Sequence, residues 1–263
     1  MRLTLVRNAT LVLDVGAKRL LVDPMLAPVG ALPAVDPETD GRRNPLVPMP
    51  RDPAEIVEGL DAVLVTHLHR DHFDADAAEL LPSDTTIVTQ PESAPILRWM
   101  GFRAVLETAS AAIGRVRVTR TGARHTLDPK LREVLGPTCG FALEASGEPR
   151  LMVAGDCIWC DELTVAVRDH HPDVIVVNAG AARIGGSMPI SMTAEDVIRT
   201  AQAAPRAVVI AVHLETLSHC PMRREELRYE LRSVDLERRV FVPDDGETLD
   251  LDAGRVVESA SPP

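Results

Sequence analysis

Ala62-Val63-Leu64-Val65-Thr66-His67-Leu68-His69-Arg70-Asp71-His72 decides both the fold and the chemistry of this chain. The first four residues form an apolar, β-rich run that reads as a buried strand. Three imidazoles and one carboxylate follow within six residues. That donor set suits zinc and is also accepted by iron or manganese. In an extended segment His67 and His69 point the same way, while a turn at Asp71-His72 aims a second pair at a neighbouring position. The stretch therefore offers one ion site with room for a second.

Upstream, Leu3–Val6, Leu11–Val15 and Leu20–Asp23 read as short strands separated by turn signals at Asn8 and Gly16. Residues 24–53 then carry eight prolines and two glycines. Such a composition holds neither a helix nor a central strand, so it reads as a long ordered loop, either a lid over a site or a surface excursion. Downstream, strands alternate with helices. Strands are expected at Ala62–Thr66, Thr86–Thr89, Val116–Thr119, Gly140–Glu144, Leu151–Ala154, Val174–Val177, Ala207–Val212, Val240–Val242 and Thr248–Leu251. Helices are expected at Asp74–Leu81, Pro91–Met100, Glu162–His170, Thr193–Ala203 and Pro221–Arg232. A polar tail ends in Pro262-Pro263. No composition break divides the 263 residues, so one domain spanning 1–263 is expected.

Composition narrows the function. Hydrophobic residues reach 45% but aromatics only 3%, so the core is built from Val, Leu, Ile and Ala. A net charge of −11 opposes an extended nucleic-acid footprint, which needs a Lys/Arg surface. No stretch of about 18 apolar residues is present to span a membrane, and the N-terminus lacks a signal-peptide pattern. Four cysteines (Cys139, Cys157, Cys160, Cys220) do not suggest a disulfide framework. These features predict a cytoplasmic protein with a small-molecule substrate and neither nucleic acid nor membrane as partner; a homo-oligomer stays open.

Buried strands tend to deliver chemistry at their C-terminal ends. His125 follows the strand around Val116–Thr119, Asp156 follows Leu151–Ala154, and His213 follows Ala207–Val212. Alone, each has an ordinary explanation: a loop histidine, a helix-capping aspartate, a satisfied core histidine. With the first cluster they complete a ligand set for two ions.

In their order along the chain, Asp23, His67/His69/Asp71/His72, His125, Asp156 and His213 resemble the motifs of the metallo-β-lactamase-fold hydrolase superfamily. The resemblance runs from the first strands to His213. It implies a mixed α/β (α+β), four-layer αββα sandwich with metals at one edge between two sheets. It implies that His67, His69 and His125 hold one divalent ion and Asp71, His72 and His213 the other, with Asp156 bridging and Asp23 supporting the cluster loop. Zinc is the expected metal, with manganese and iron as alternatives. Two such ions about 3.5–4 Å apart acidify a bridging water and polarise a carbonyl or phosphoryl oxygen. Asp71 then orients the nucleophile or takes its proton.

His69, where a glutamate would mark the di-iron flavoprotein branch, disfavours that branch. The short Asp156–His213 interval disfavours the nucleic-acid-processing branch. Tyr229, the only tyrosine, sits in a charged helix and fits poorly with acyl-homoserine-lactone hydrolases. The segments 178–182 and 213–220 are similar to the compact bacterial branch of ascorbate-phosphate-lactonase-like proteins. Hydrolysis of a small ester, lactone or related acyl compound is the expected reaction. The alternatives are a phosphodiesterase, a metal-dependent lyase or cyclase, and a non-hydrolytic binding protein. His219 is a candidate catalytic proton donor, and Asn178, Arg124 and Arg183 are candidate substrate contacts. Cys157-Ile158-Trp159-Cys160 has redox-motif spacing but follows a metal-site aspartate, so a packing role is expected.

Overall fold

Short strands and amphipathic helices succeed one another along the chain in the computed structural model, which describes residues 1–252 and 255–258. In order they are β1 (Arg2–Arg7), β2 (Thr10–Val15), β3 (Lys18–Val22), α1 (Pro53–Val57), β4 (Ala62–Val65), α2 (Ala75–Leu80), β5 (Thr86–Thr89), α3 (Ala94–Trp99) and β6 (Ala104–Leu106). Next come β7 (Ser110–Ile113), β8 (Val116–Gly122), α4 (Pro129–Leu135), β9 (Cys139–Glu144), β10 (Leu151–Val153), α5 (Asp161–His170) and β11 (Val174–Asn178). The chain continues through α6 (Ala194–Ala203), β12 (Val208–Val212), α7 (Arg224–Ser233), β13 (Val240–Phe241), β14 (Thr248–Asp252) and β15 (Arg255–Glu258). The polar tail read from the sequence, ending in Pro262-Pro263, lies outside the described residues.

The strands form two sheets, ordered β15-β14-β1-β2-β3-β4-β5-β6 and β13-β12-β11-β10-β9-β8-β7. Period-two alternation decides what each face meets. In β11, Val174 and Val176 face a core shared with Leu5, Leu13, Leu20 and Leu64 of the first sheet and Phe141 of the second. Ile175 and Val177 instead pack against Leu163 of α5, Val197 of α6 and Leu227 of α7. On the far side, Leu21, Val63 and Ile87 pack against Ile56 of α1, Ala77 of α2 and Leu97 of α3. Helix, sheet, sheet, helix is therefore the layer order, and the expected αββα sandwich is present.

Local chemistry sets the helix starts. The Asp74 carboxylate caps α2 by accepting from Ala77 N at 2.8 Å. Thr193 and Asp196 close a reciprocal capping box on α6. Asp128 accepts from Lys130 N and Leu131 N, with Pro129 in the first turn of α4. The helices at Pro91 and Pro221 begin later than the sequence suggests, at Ala94 and Arg224.

Topology collects the functional side chains. β3, β4 and β5 run parallel in one sheet, and β10, β11 and β12 run parallel in the other. Asp23, the His67 cluster, Asp156 and His213 all leave the C-terminal ends of these strands, at one shared edge of the sandwich. Across that edge lies the proline-rich loop. The buried Arg7 guanidinium donates to the carbonyls of Met25, Ala27 and Val47. Asn44 Oδ1 accepts from Ser218 N at 2.8 Å, Leu46 N donates to Thr216 O, and Asp36 Oδ2 accepts from Gly185 N. The loop is stapled across the edge at several points.

Candidate metal centre

Thr66 sets the first ligand before the motif begins. Its hydroxyl donates to Asp23 Oδ2 at 2.7 Å and lies 2.9 Å from His67 Nδ1. With that hydroxyl proton committed to Asp23, His67 Nδ1 must donate to the Thr66 oxygen, so His67 Nε2 carries a free lone pair. The same reasoning assigns three more rings. His69 Nε2 lies 2.8 Å from the Leu135 carbonyl, His125 Nδ1 lies 3.1 Å from the Ile190 carbonyl, and His72 Nδ1 lies 2.8 Å from Asp23 Oδ2. Each outer nitrogen faces an acceptor and must donate, which turns a lone pair of the neutral ring inward.

The inward atoms converge. His67 Nε2 and His69 Nδ1 are 2.9 Å apart, two lone-pair atoms that need a cation or a proton between them. His72 Nε2 and His125 Nε2 are buried without a hydrogen-bond partner among the described residues. His72 Nε2 lies 3.3 Å from Asp156 Oδ1, close enough to share an ion but outside hydrogen-bonding geometry. The donor atoms fall into two groups, His67/His69/His125 and Asp71/His72/Asp156/His213, each with all its atoms within 4.8 Å of one another. Asp156 lies beside both: its Oδ2 is 3.8 Å from the outer nitrogen of the His125 ring, Nδ1, and its Oδ1 is 3.7 Å from His213 Nε2. These residues fit two divalent cations chemically, through orphaned inner nitrogens and rings fixed from outside.

Electrostatics agree with a cation-hungry centre. Burial opposes ionisation of Asp71 and Asp156, yet the surrounding imidazoles hold both carboxyls well below their usual range. Burial likewise opposes a charged His72, but Asp156, Asp71 and Asp23 raise it to about 10 without bound metal. His67 and His125 are pushed down, first by burial and then, among other causes, by their histidine neighbours.

Backbone geometry holds the ligands in place. Gly155, at φ +67°, precedes Asp156, and a Cβ there would sit 2.4 Å from the Cys139 carbonyl oxygen. Only glycine lets the chain pass so close before turning the carboxylate inward. His213 itself has φ 66° and Asp23 φ 43°, left-handed conformations that non-glycine residues rarely adopt outside constrained sites.

The structure brings together all seven expected ligands and Asp23, whose carboxylate accepts from Thr66 N, Thr66 Oγ1 and His72 Nδ1. His219 lines a cavity of about 250 Å³ above the cluster, with its Nδ1 buried and without a partner among the described residues. The other expected contacts lie elsewhere. Asn178 is buried and donates to Asp156 Oδ1 at 2.6 Å, so it faces the ligand rather than the cavity. Arg124 is paired with Glu162 on the far side of His125. Arg183 is exposed and donates to the Ser187 carbonyl. Each arginine already has its acceptor, and neither lines the cavity.

Several contributors carry no motif. Asn8 donates to the Asp71 carbonyl at 2.9 Å and accepts His213 N–H through its own carbonyl. Cys220 Sγ lies 3.5 Å from His213 Nδ1. Helix α4, not anticipated from the sequence, supplies the Leu135 carbonyl that orients His69; the Asp128-Pro129 pair was the available signal.

The cavity is mostly apolar. Leu32, Pro33, Ala34 and Val35 come from the proline-rich loop, Ile184, Ile190 and Leu217 from the second sheet's loops. Besides the cluster residues His69, Asp71 and Asp156, its polar lining is Asn44, Arg70 and His219.

Comparison with known proteins places the chain. The Beta-lactamase superfamily domain model matches residues 18–214. UPF0173 protein YddR of Bacillus subtilis (strain 168) is 36% identical over 253 residues, covering 94% of this chain and 99% of that protein. Among solved structures, the isothiocyanate hydrolase from Delia radicum gut bacteria matches with a TM-score of 0.90 at 34% identity, over 96% of this chain and 100% of that one. A possible metal-dependent hydrolase from Veillonella parvula DSM 2008 matches with a TM-score of 0.91 at 31% identity, over 95% and 99% of the two chains. The chain belongs to the beta-lactamase superfamily domain family, and it is a metal-dependent hydrolase of metallo-β-lactamase fold.

Proposed function

We propose that the centre holds two divalent cations, zinc first with manganese and iron as alternatives, and hydrolyses a small, uncharged, largely apolar electrophile. The carrying observation is the cavity: about 250 Å³, walled by Leu32, Val35, Ile184, Ile190 and Leu217 directly above the ligand cluster. When bound, such ions supply Lewis acidity and bring the pKa of water toward neutrality.

The chain's own residues do the rest. Asp71 is half-buried and lines the cavity floor, where its carboxylate holds the proton of the attacking water. Asn178 fixes one oxygen of Asp156, which leaves the rest of that carboxylate to face the ligand cluster. Burial lowers the pKa of His219, so its ring stays neutral at pH 7 and hydrogen-bonds the departing heteroatom. The apolar walls exclude water and hold an alkyl or aryl substituent.

Esters, lactones and isothiocyanates all meet these requirements. The similarity to an isothiocyanate hydrolase, at 34% identity, favours the last as first candidate. The reaction would be addition of water to the central carbon, giving a thiocarbamic acid that breaks down to amine and carbonyl sulfide. A phosphodiester fits less well, because among the described residues Arg70 is the only cationic side chain lining the cavity. The substrate is thus a small molecule, and a cytoplasmic setting goes with it.

The test is a rate panel on zinc-reconstituted protein with an aryl isothiocyanate, a lactone, a thioester and a phosphodiester. Turnover of one or more carbon electrophiles in preference to the phosphodiester is expected. Turnover of the phosphodiester alone would reject the reading.

A further inference from the structure

The Cys157-Ile158-Trp159-Cys160 segment takes no part in the hydrolytic site, yet it leaves directly from Asp156. The two thiols lie 3.5 Å apart, sulfur to sulfur, and both residues are buried. The other two cysteines have different partners: Cys139 Sγ donates to the Thr66 carbonyl, and Cys220 faces His213. Any intramolecular pairing is therefore specific to 157 and 160.

The segment is clamped between two ligand-bearing stretches. Cys157 follows Asp156 in sequence, and its Sγ accepts from Arg124 N at 3.4 Å, one residue before His125. Ile158 N donates to the Arg124 carbonyl at 2.9 Å. Cys160 is the N-cap of α5, a helix of ten residues. A helix N-terminus favours a thiolate, and Cys157 stands ready as the resolving thiol. The sulfurs, 3.5 Å apart, must approach by about 1.5 Å to reach a bond of about 2.05 Å.

We propose that Cys157 and Cys160 form a reversible disulfide, a redox modification site coupled to the neighbouring ligands Asp156 and His125. The oxidant is a low-molecular-weight disulfide. The Cys160 thiolate attacks one of its sulfurs and expels a thiolate. Cys157 then attacks Cys160 Sγ in the mixed disulfide and expels the second. Two electrons pass to the small disulfide, and the two cysteine protons end on the two thiols released. Moving Cys157 Sγ toward Cys160 takes it from the Arg124 N–H and disturbs the turn that carries Asp156. The coupling rests on the metal-holding reading of these ligands, whereas disulfide formation does not.

The experiment exposes zinc-loaded protein to glutathione disulfide, followed by denaturing alkylation and mass spectrometry. The expected product has lost two alkylatable thiols and about 2 Da, with the link mapped to 157 and 160 and reversed by dithiothreitol. Cys160→Ser abolishes the link; the wild-type mapping stands alone should that variant misfold. Four alkylatable thiols after exposure, or a link through Cys139 or Cys220, would overturn the site. For the coupling, zinc release to a chromogenic chelator is expected to be faster in the oxidised form, on the order of tenfold. Equal release from the two forms would overturn the coupling while leaving the disulfide in place.

Discussion

Asn178 Nδ2 donates to Asp156 Oδ1 at 2.6 Å, and both side chains are buried just where β10 and β11 end side by side. The amide occupies one acceptor position of the carboxylate that borders both ligand groups. Asn178→Ala frees that oxygen to turn, and Asn178→Asp places a second negative charge against it. Both variants are expected to lose metal affinity by about 10–100-fold while keeping the fold. Competition with a chelator, alongside circular dichroism, checks this; unchanged affinity in both would remove the positioning role.

Asp23 gathers three donors from two residues of the cluster loop, Thr66 N, Thr66 Oγ1 and His72 Nδ1. Replacing it with alanine leaves all three buried without an acceptor. The expected destabilisation of the metal-free protein is about 3 kcal/mol or more, read by urea unfolding. A loss under about 0.5 kcal/mol would show that the carboxylate is dispensable to the loop.

Protons compete with metal here, and the sign follows from the direction of each shift. Without bound metal, His72 is raised from 6.5 to about 10: burial opposes the charge, but Asp156, Asp71 and Asp23 outweigh it. Its proton therefore stabilises the metal-free fold fully below 6.5, and that contribution is lost as pH rises toward about 10. Metal loading must expel this proton, so affinity increases with pH across the same window. Calorimetry at pH 8 in buffers of different ionisation enthalpy should report net proton release. Zero release would contradict the assignment of His72 as a ligand.

Arg7 is fully buried, with three carbonyls of the proline-rich segment accepting from it. Burial lowers its pKa to about 10, which leaves it charged at neutral pH. Arg7→Met is expected to cost about 2–4 kcal/mol and to raise proteolytic cleavage within residues 24–53. Limited proteolysis with mass mapping measures it; a wild-type cleavage pattern would mean the loop is held by Asn44 and Asp36 instead.

Val35 projects from the same loop into the cavity wall. Val35→Asp should raise KM for an apolar substrate by about tenfold with metal content unchanged. An unchanged KM would move the substituent-binding wall elsewhere.

Much of this was legible in the chain because the signals are local. The alternation in β11 and β12 and the spacing of His67, His69, Asp71 and His72 are properties of a few consecutive residues. Asp156 and His213 were found because they follow apolar runs. What escaped depends on contacts between distant segments. Nothing near Asn178 in sequence announces that its amide meets Asp156. Leu135 and Ile190 act through backbone carbonyls, which any residue supplies. β6 is only three residues long (Ala-Val-Leu) and β7 reads Ser-Ala-Ala-Ile, with a single β-branched residue, so their pairing with β5 and β8 defines them. Arg124 and Arg183 are candidate substrate contacts by sequence position, but Glu162 and the Ser187 carbonyl already hold them.

The most direct measurement is hydrolysis rate against equivalents of zinc added to metal-free protein. Activity should be absent at the start, rise with metal and saturate at about two equivalents per chain. Saturation at one equivalent, or full activity before any metal is added, would contradict a two-ion hydrolytic centre.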